Sequence, residues 1–486
     1  MTTECNQQSF RFHKAGRREV VARFDGGHIS SDGGGVLLRE VEEKTGIVEQ
    51  FAACLTDHRD AERIEHPLLH LVGQRVFGLA LGYEDLNDHD TLRGDPLLAL
   101  LVGDDDPTGR DRRRKSDRGK ALAGKSTLNR LELTPVRADE THRYKKIACS
   151  MAKVQRLLVS LFIQEHKATP GGLGVPKQIV LDVDATHDPI HGNQLGKFFH
   201  GYYDCYCYLP LYVMCGDFVL AAKLRPSRFD PATGVAITLS LIIAQIRAAP
   251  GWENVKIIVR GDSGFCREDL MKWCEDHGVH YVLGLAGNAR LRRVIGRQMH
   301  EAKQQCQATG LPARVFTEFR YATQTSWCCE RRVIAKAEHL PANASDDKAN
   351  ARFVVTNLPA EEIDAKALYE DCYCARGDME NRIKEQQLCL FADRLPCDDM
   401  RANQIRLYFS TIAYTLIAAL RRRGLKGTEL EHAQASTIRT RLLKIGTRIV
   451  VTVRNVWLSM TQAFPLQRLF AIVHARLTAS PAAAGP

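Results

Sequence analysis

Residues 177–188 read KQIVLDVDATHD, and residues 254–265 read NVKIIVRGDSGF. Each is an apolar run of strand length that ends in carboxylates. Strand alternation puts Val180, Asp182 and Asp184 on one face of the first run and Leu181 and Val183 on the other. In the second run Asp262 lies between Gly261 and Gly264, residues that let the backbone turn sharply beside a site. Carboxylates at the end of a buried strand are costly unless solvated, paired or metal-bound. Open α/β sheets gather their sites at such strand ends. An Asp-type turn closing each strand would explain either run alone.

The flanking sequence fills in the sheet. YCYLPLYVMCG (206–216) and DFVLAAKLRP (217–226) read as a β-hairpin that turns near Cys215-Gly216-Asp217. A helix is expected at 233–249, another at 267–278 closed by Gly278, and a third apolar strand at 279–288. This order predicts a mixed sheet covered by helices, an α/β core.

Outside the core, residues 311–357 turn β-rich, with ARVFTEFRYA, SWCCERRVIAKAE and ARFVVTNL, and a helix is expected over 361–391. Residues 400–477 read as mostly helical and basic. Before the core, GGHISSDGGGVLLREVEEKTG (26–46) places a Gly-rich turn ahead of a helix, 64–104 reads as helices, and one long helix is expected through 143–166. TPGGLGVP (169–176) reads as a linker and ASPAAAGP (479–486) as a tail. The expected organisation is a mainly helical region over 1–168 and an α/β core over 177–310 and 358–395. A β-rich insertion over 311–357, a C-terminal helical region over 396–478 and the tail over 479–486 complete it.

The 486 residues carry a net charge of +10, with 44% hydrophobic and 26% charged residues. That composition describes a folded chain of several domains with an excess of cations suited to a polyanion such as nucleic acid. No apolar stretch has membrane-spanning length and the N-terminus lacks a signal-peptide core, so a cytoplasmic protein without a membrane partner is expected. Fifteen scattered cysteines fit reduced thiols better than a disulfide framework. The C-x-C pairs Cys205/Cys207 and Cys372/Cys374 lack zinc-site spacing.

GKALAGKS (119–126) fits the phosphate-binding loop letter for letter. That loop works only between an apolar strand and a helix. The residues before it, DRRRKSDR, cannot form a buried strand, so no nucleotide is expected. The run from Arg110 to Lys125 holds eight basic and two acidic residues. Arg112, Arg113, Arg114 and Lys115 in it are candidate DNA-phosphate contacts, with a solvated charged loop as the plainer reading.

A third acid comes from YEDCYCARGDMENRIKEQQ (369–387), where Tyr373, Arg376, Glu380 and Lys384 share one helix face. Surface ion pairing accounts for Arg376–Glu380 and Glu380–Lys384 equally well on its own. Phosphodiester chemistry asks for a few carboxylates holding two divalent ions about 4 Å apart.

Taken together, LDVDATHDPIHGNQLGKFFHGYYDCYCYLPLYV (181–213), VRGDSGF (259–265) and YCARGDMENRIKEQQLCLFADR (373–394) resemble the DDE transposases of bacterial insertion sequences, closest to insertion-sequence group thirteen-eighty. SSDGGGVLLRE (30–40) and GYEDLNDHDTLRGDP (82–96) share the likeness, which spans most of the chain. The resemblance implies a ribonuclease-H-like core with a β-rich insertion between the second and third acids. The family's first acid lies in an Asp-x-Thr motif, here Asp184-Ala185-Thr186, which favours Asp184 over Asp182; the second falls on Asp262 and the third on Glu380. The superfamily's Tyr-Arg-Glu-Lys signature falls on Tyr373, Arg376 and Glu380, but its Lys position is Gln387. Lys384 is the nearby substitute for the phosphate contact. A base-stacking Trp in the insertion would be Trp327, for which a packed core position is the alternative.

By resemblance, Asp184, Asp262 and Glu380 would bind two Mg²⁺ or Mn²⁺ ions. The partner would be double-stranded DNA, both terminal inverted repeats and target, held by a homodimer in the synaptic complex. The activity implied is cut-and-paste transposition by cleavage and 3′-end transfer, with or without a hairpin intermediate, in a bacterial cytoplasm and on the nucleoid when bound. A metal-dependent nuclease without strand transfer and a DNA-binding relic are the alternatives.

Overall fold

The computed structural model describes residues 9–167, 172–341 and 349–479. The linker reading at 169–176 falls partly outside these residues, and the tail reading lies outside them beyond its first residue. The described residues fall into two compact units. One lies within 1–150, 389–391 and 409–482, the other within 151–388 and 392–408.

The second unit holds the carboxylates. In chain order the elements that build its large sheet and cover it include α1 (Met151–Glu165), β1 (Gln178–Ala185), β2 (Leu211–Cys215), β3 (Phe218–Lys223), α2 (Val235–Arg247), β4 (Lys256–Gly261), α3 (Glu268–Asp276), β5 (His280–Leu285) and α4 (Gly296–Thr309). β6 (Ala313–Tyr321), β7 (Arg331–His339), β8 (Ala349–Thr356) and most of α5 (Gly377–Leu390) follow. One eight-stranded sheet runs β3-β2-β1-β4-β5-β8-β7-β6. β1, β2 and β3 form an antiparallel meander, β4 lies parallel to β1, and β5 lies parallel to β4. The parallel steps need crossovers, which α2 and α3 supply. The stretch read as a β-rich insertion makes no sheet of its own: β8 pairs antiparallel with β5 and carries β7 and β6 outward from it.

Strand alternation sorts the side chains onto two faces. Leu181, Val183, Val259, Leu283 and Val355 look toward α1, α2, α3 and α4, which bury Phe162, Leu239, Ile243, Met271 and Cys274 against them. Ile258, Val282, Ile334 and Val354 look the other way, onto Leu368 and Tyr369, with Val180, Cys372 and Tyr373 packed beside them. Val180 shares its face with Asp182 and Asp184. The sequence 365–373 therefore lies on the face that carries the acids.

Three sequence expectations need correcting. The helix expected over 143–166 starts only at Met151, because Ile147–Cys149 is a strand paired with Leu55–Asp57. The N-terminal region read as mainly helical also contains the strands Phe10–Ala15, Arg18–Ala22 and His28–Ser30. The C-terminal region read as mostly helical contains Thr447–Val451 and Val456–Met460, which join His28–Ser30 in a three-stranded sheet.

That last pairing explains the Gly-rich turn. Asp32 is buried, accepting from the Tyr83 hydroxyl at 2.6 Å and pairing with Lys444 at 2.5 Å. The Gly33 amide donates to the Ile445 carbonyl at 3.0 Å. A Cβ on Gly34 would stand 2.6 Å from Leu443 Cα and closer still to the Leu442 carbonyl oxygen. Backbone cannot give way as a side-chain tip can. Gly34→Ala is expected to destabilise the first unit by about 3 kcal/mol, the upper range for overpacking. Thermal denaturation followed by circular dichroism would show it; an unchanged midpoint would mean that this close approach is not tight.

Candidate active site

β1 ends at Ala185, so Asp184 is its last carboxylate, opposite Tyr212 of β2. β4 ends at Gly261, and Asp262 follows as cap of the short 3-10 turn Ser263–Phe265, its carboxylate accepting from the Gly264 amide at 2.8 Å. The two acids thus leave the C-terminal ends of parallel neighbours.

The third element changes its winding on approach. The segment read as one helix over 361–391 is a short helix at Ala365–Ala367, a π-helix at Leu368–Tyr373, a 3-10 turn at Cys374–Arg376 and then α5. π-segments of this kind occur often at functional sites. The Tyr373 hydroxyl comes over Gly284 of β5: a Cβ there would meet it at 2.6 Å and the Ser263 amide nitrogen at 2.9 Å. A residue without a side chain on β5 makes room for the tyrosine beside Asp262.

Arg376 ties the acids together. Its guanidinium lies 2.5 Å from Glu380 Oε1 and 4.0 Å from Asp184 Oδ1. Burial pushes the Asp184 carboxyl up, Arg376 opposes this, and Asp262 and Glu380 add to the rise, bringing it to about 6. The structure therefore brings Asp184, Asp262, Glu380, Tyr373 and Arg376 into one electrostatic neighbourhood.

Asp182, the other acid of β1, is spoken for. Arg260, directly across on β4, grips it with two bonds of 2.5 and 2.7 Å, and both residues are buried. Arg260 also donates to the Cys372 carbonyl, locking the approach to the third acid. Sequence reading missed this arginine; its signal was a charge inside the apolar run KIIVRGD at the register position of Asp182.

Gln387, at the signature's lysine position, donates to Asp188 Oδ1 at 2.7 Å. Asp188 is fully buried, and burial pushes its carboxyl up to about 7 against that hydrogen bond. Gln387 thus serves a buried acid, while Lys384 is exposed on α5. Sequence reading also missed Tyr203, stacked on His187 at 4.2 Å. Burial first, and then the carboxylates of Asp184 and Asp262, push its phenol up to about 12.

Trp327 is not brought to the acids. It sits in the β6–β7 turn, half-buried against the core on the α1–α4 face, edge-on to Tyr321 at 5.8 Å and under the Arg331 guanidinium. The basic run lies in the first unit. Arg112 is held by Asp104 at 2.9 Å and by the Glu65 carbonyl at 2.8 Å, Arg113 donates to the Glu62 carbonyl, and Arg114 and Lys115 are exposed. Residues 104–124 contain no strand, and Lys125 binds Asn87 and Asp90.

The chain matches the family model described as transposase DDE domain group 1 over residues 12–482. It belongs to that family. No curated protein matches it in sequence. A transposase of the DDE family is a DNA-binding, DNA-cleaving enzyme, and the family generally uses divalent metal ions. The mixed α/β architecture with its large mixed sheet is compatible with a DDE domain. No helix among the described residues is long and apolar enough to cross a membrane, and no disulfide joins the cysteines among them.

The residues suit hard cations. Three carboxylates supply the oxygen donors that Mg²⁺ or Mn²⁺ prefers, and their mutual repulsion at Asp184 is what a bound cation relieves. Among the described residues no three His, Cys, Asp or Glu side chains form a ready-made ion site. Glu380 is turned onto Arg376 instead.

Proposed function

We propose that this transposase is a cut-and-paste enzyme of insertion-sequence group thirteen-eighty, built on a ribonuclease-H-like core, with Asp184, Asp262 and Glu380 as its catalytic acids. The observation that carries this is the convergence of β1, β4 and α5 on one place. The sheet order supports the core assignment: an antiparallel three-strand meander followed by two parallel strands, with the acids at the ends of the first and fourth. On this reading the catalytic core is β1 to β5 with α5, and β6, β7 and β8 are its insertion.

Two divalent ions held by these acids would neutralise the attacking and leaving oxygens and make a bound water or 3′-hydroxyl a better nucleophile. The protein's own groups do the rest. Arg376 pairs with Glu380 and lies beside Asp184, and there it would serve the phosphate beside the scissile bond as a charge-assisted donor. Tyr373, seated over Gly284, lines the same place. Lys384, exposed on α5, offers a second phosphate contact. Lys115 and Arg114, both exposed and the latter pairing only loosely with Glu65 at 3.8 Å, would meet the backbone of the terminal inverted repeats. Synapsis of two ends calls for a homodimer on DNA.

The test is supercoiled plasmid carrying the flanking terminal repeats, with purified protein and Mg²⁺, and Glu380→Gln alongside. Excision and joining by the wild type but not by the variant is the expected result. Cutting without joining would make the chain a nuclease, and repeat binding without any metal-dependent cut would make it a DNA-binding relic.

A further inference from the structure

The strands Phe10–Ala15 and Arg18–Ala22 form a two-stranded sheet that pairs with no other described strand. Every residue from Arg11 to Ala22 is exposed. A lone two-stranded hairpin is marginally stable in water, so a ribbon of this kind gains from a partner. Its side chains describe that partner. Arg11, Lys14, Arg17, Arg18 and Arg23 stand against one acid, Glu19, which pairs with Lys14 at 2.6 Å. Phe12 is 58% exposed and Val20 37%, and the two sit directly opposite each other on one face. Arg11 lies opposite Val21 on the other face, and Ala15 opposite Arg18 beside the Gly16-Arg17 turn.

A second copy of the same ribbon is a poor occupant, because isologous pairing would set like charges together. Charged edges also discourage addition of another strand. A polyanion with some apolar surface fits both features. Two strands lie about 4.8 Å apart, and the major groove, about 12 Å wide, admits a two-stranded ribbon. It presents phosphates on both walls and thymine methyl groups on its floor.

We propose that residues 10–23 form a DNA-reading arm that enters the major groove, with its arginines on the phosphates and Phe12 and Val20 toward the base edges. This rests on the reading of the chain as a transposase and adds to it a specific element that holds the DNA. The arm lies apart in sequence from the basic run at 110–125.

The test uses the full chain carrying R11A/R17A/R18A, with Phe12→Ser as a second variant. The probes are a duplex bearing the terminal repeat and a duplex of mixed sequence. Binding by fluorescence anisotropy across a salt series should give the triple variant a salt slope smaller by roughly three, one counterion contact per arginine. Its affinity for both duplexes should fall at least about ten-fold at moderate salt. Dimethyl sulfate protection at guanine N7, a major-groove atom, should disappear. Phe12→Ser should narrow the preference for the repeat while leaving the salt slope in place. The thermal midpoint should not move, because the ribbon supports no core.

An unchanged slope with intact N7 protection overturns the proposal. So does a triple variant that loses self-association in light scattering but binds DNA like the wild type, since the ribbon would then be a protein contact. Failure of the underlying transposase reading looks different: a wild type that protects N7 through the arm but never cuts at saturating protein.

Discussion

Asp262→Asn is expected to abolish strand cleavage while leaving binding of the transposon ends within about two-fold of wild type. The acid contributes through charge at the reacting phosphate. Losing one carboxylate from a metal-holding set removes several kcal/mol of transition-state stabilisation, roughly three powers of ten in rate. The Asx contact to the Gly264 amide survives in Asn, so the turn after β4 stays in place. Retained cleavage would remove Asp262 from the site. Asp184→Asn should be as inactive but no less stable. The Asp184 carboxyl is pushed up to about 6 by burial and by its acidic neighbours, above the usual carboxylate range near 4. The folded state therefore disfavours its ionised form. That penalty is absent below about pH 4, grows as pH rises toward 6, and is present in full above it. Asn removes the penalty, so in metal-free buffer the variant should gain stability over wild type as pH rises through this window. Urea denaturation at pH 4 and pH 7 would measure it. A variant less stable than wild type at pH 7 would show that the charge is better compensated than the geometry indicates.

The second large effect separates Asp182 from Asp184. Asp182→Ala leaves the Arg260 guanidinium buried without its carboxylate, and breaking a buried pair from one side costs about 3–5 kcal/mol. In a unit of this size that is roughly a 10 °C fall in midpoint. The double variant Asp182→Leu/Arg260→Met replaces both charges with apolar groups of similar volume and should recover most of the loss, since such replacements are often neutral. The double variant should also still cut DNA in Mg²⁺. Loss of cutting in a well-folded double variant, with cutting retained in Arg260→Met alone, would move the first catalytic acid from Asp184 to Asp182.

Much of the fold was legible because its signals are local. The strands at 178–185, 256–261 and 280–285 were visible as apolar runs, and the helices between them as periodic stretches, the second closed by Gly278. Position in the chain could also be read: two acids ending strands, and Arg376–Glu380 one helical turn apart. The winding of 368–376 was not legible, because its switch from π to 3-10 is set by packing Leu368, Tyr369 and Tyr373 onto the sheet. The strands Thr447–Val451 and Val456–Met460 carried a β-branched alternation, TRIVV and VWLSM, that a basic helical reading passed over.

The sequence by itself determined the transposase family, the order of the strands and the three candidate acids, since each is written in residue type and spacing along the chain. Tertiary structure alone decided which acid of β1 is committed to Arg260. It also set Trp327 on the face opposite Tyr373, turned Gln387 onto Asp188, and joined the Gly33–Gly35 turn to a strand more than four hundred residues away. These are contacts between residues distant in sequence. No local propensity encodes them, because they exist only once the sheet has fixed which side chains share a face.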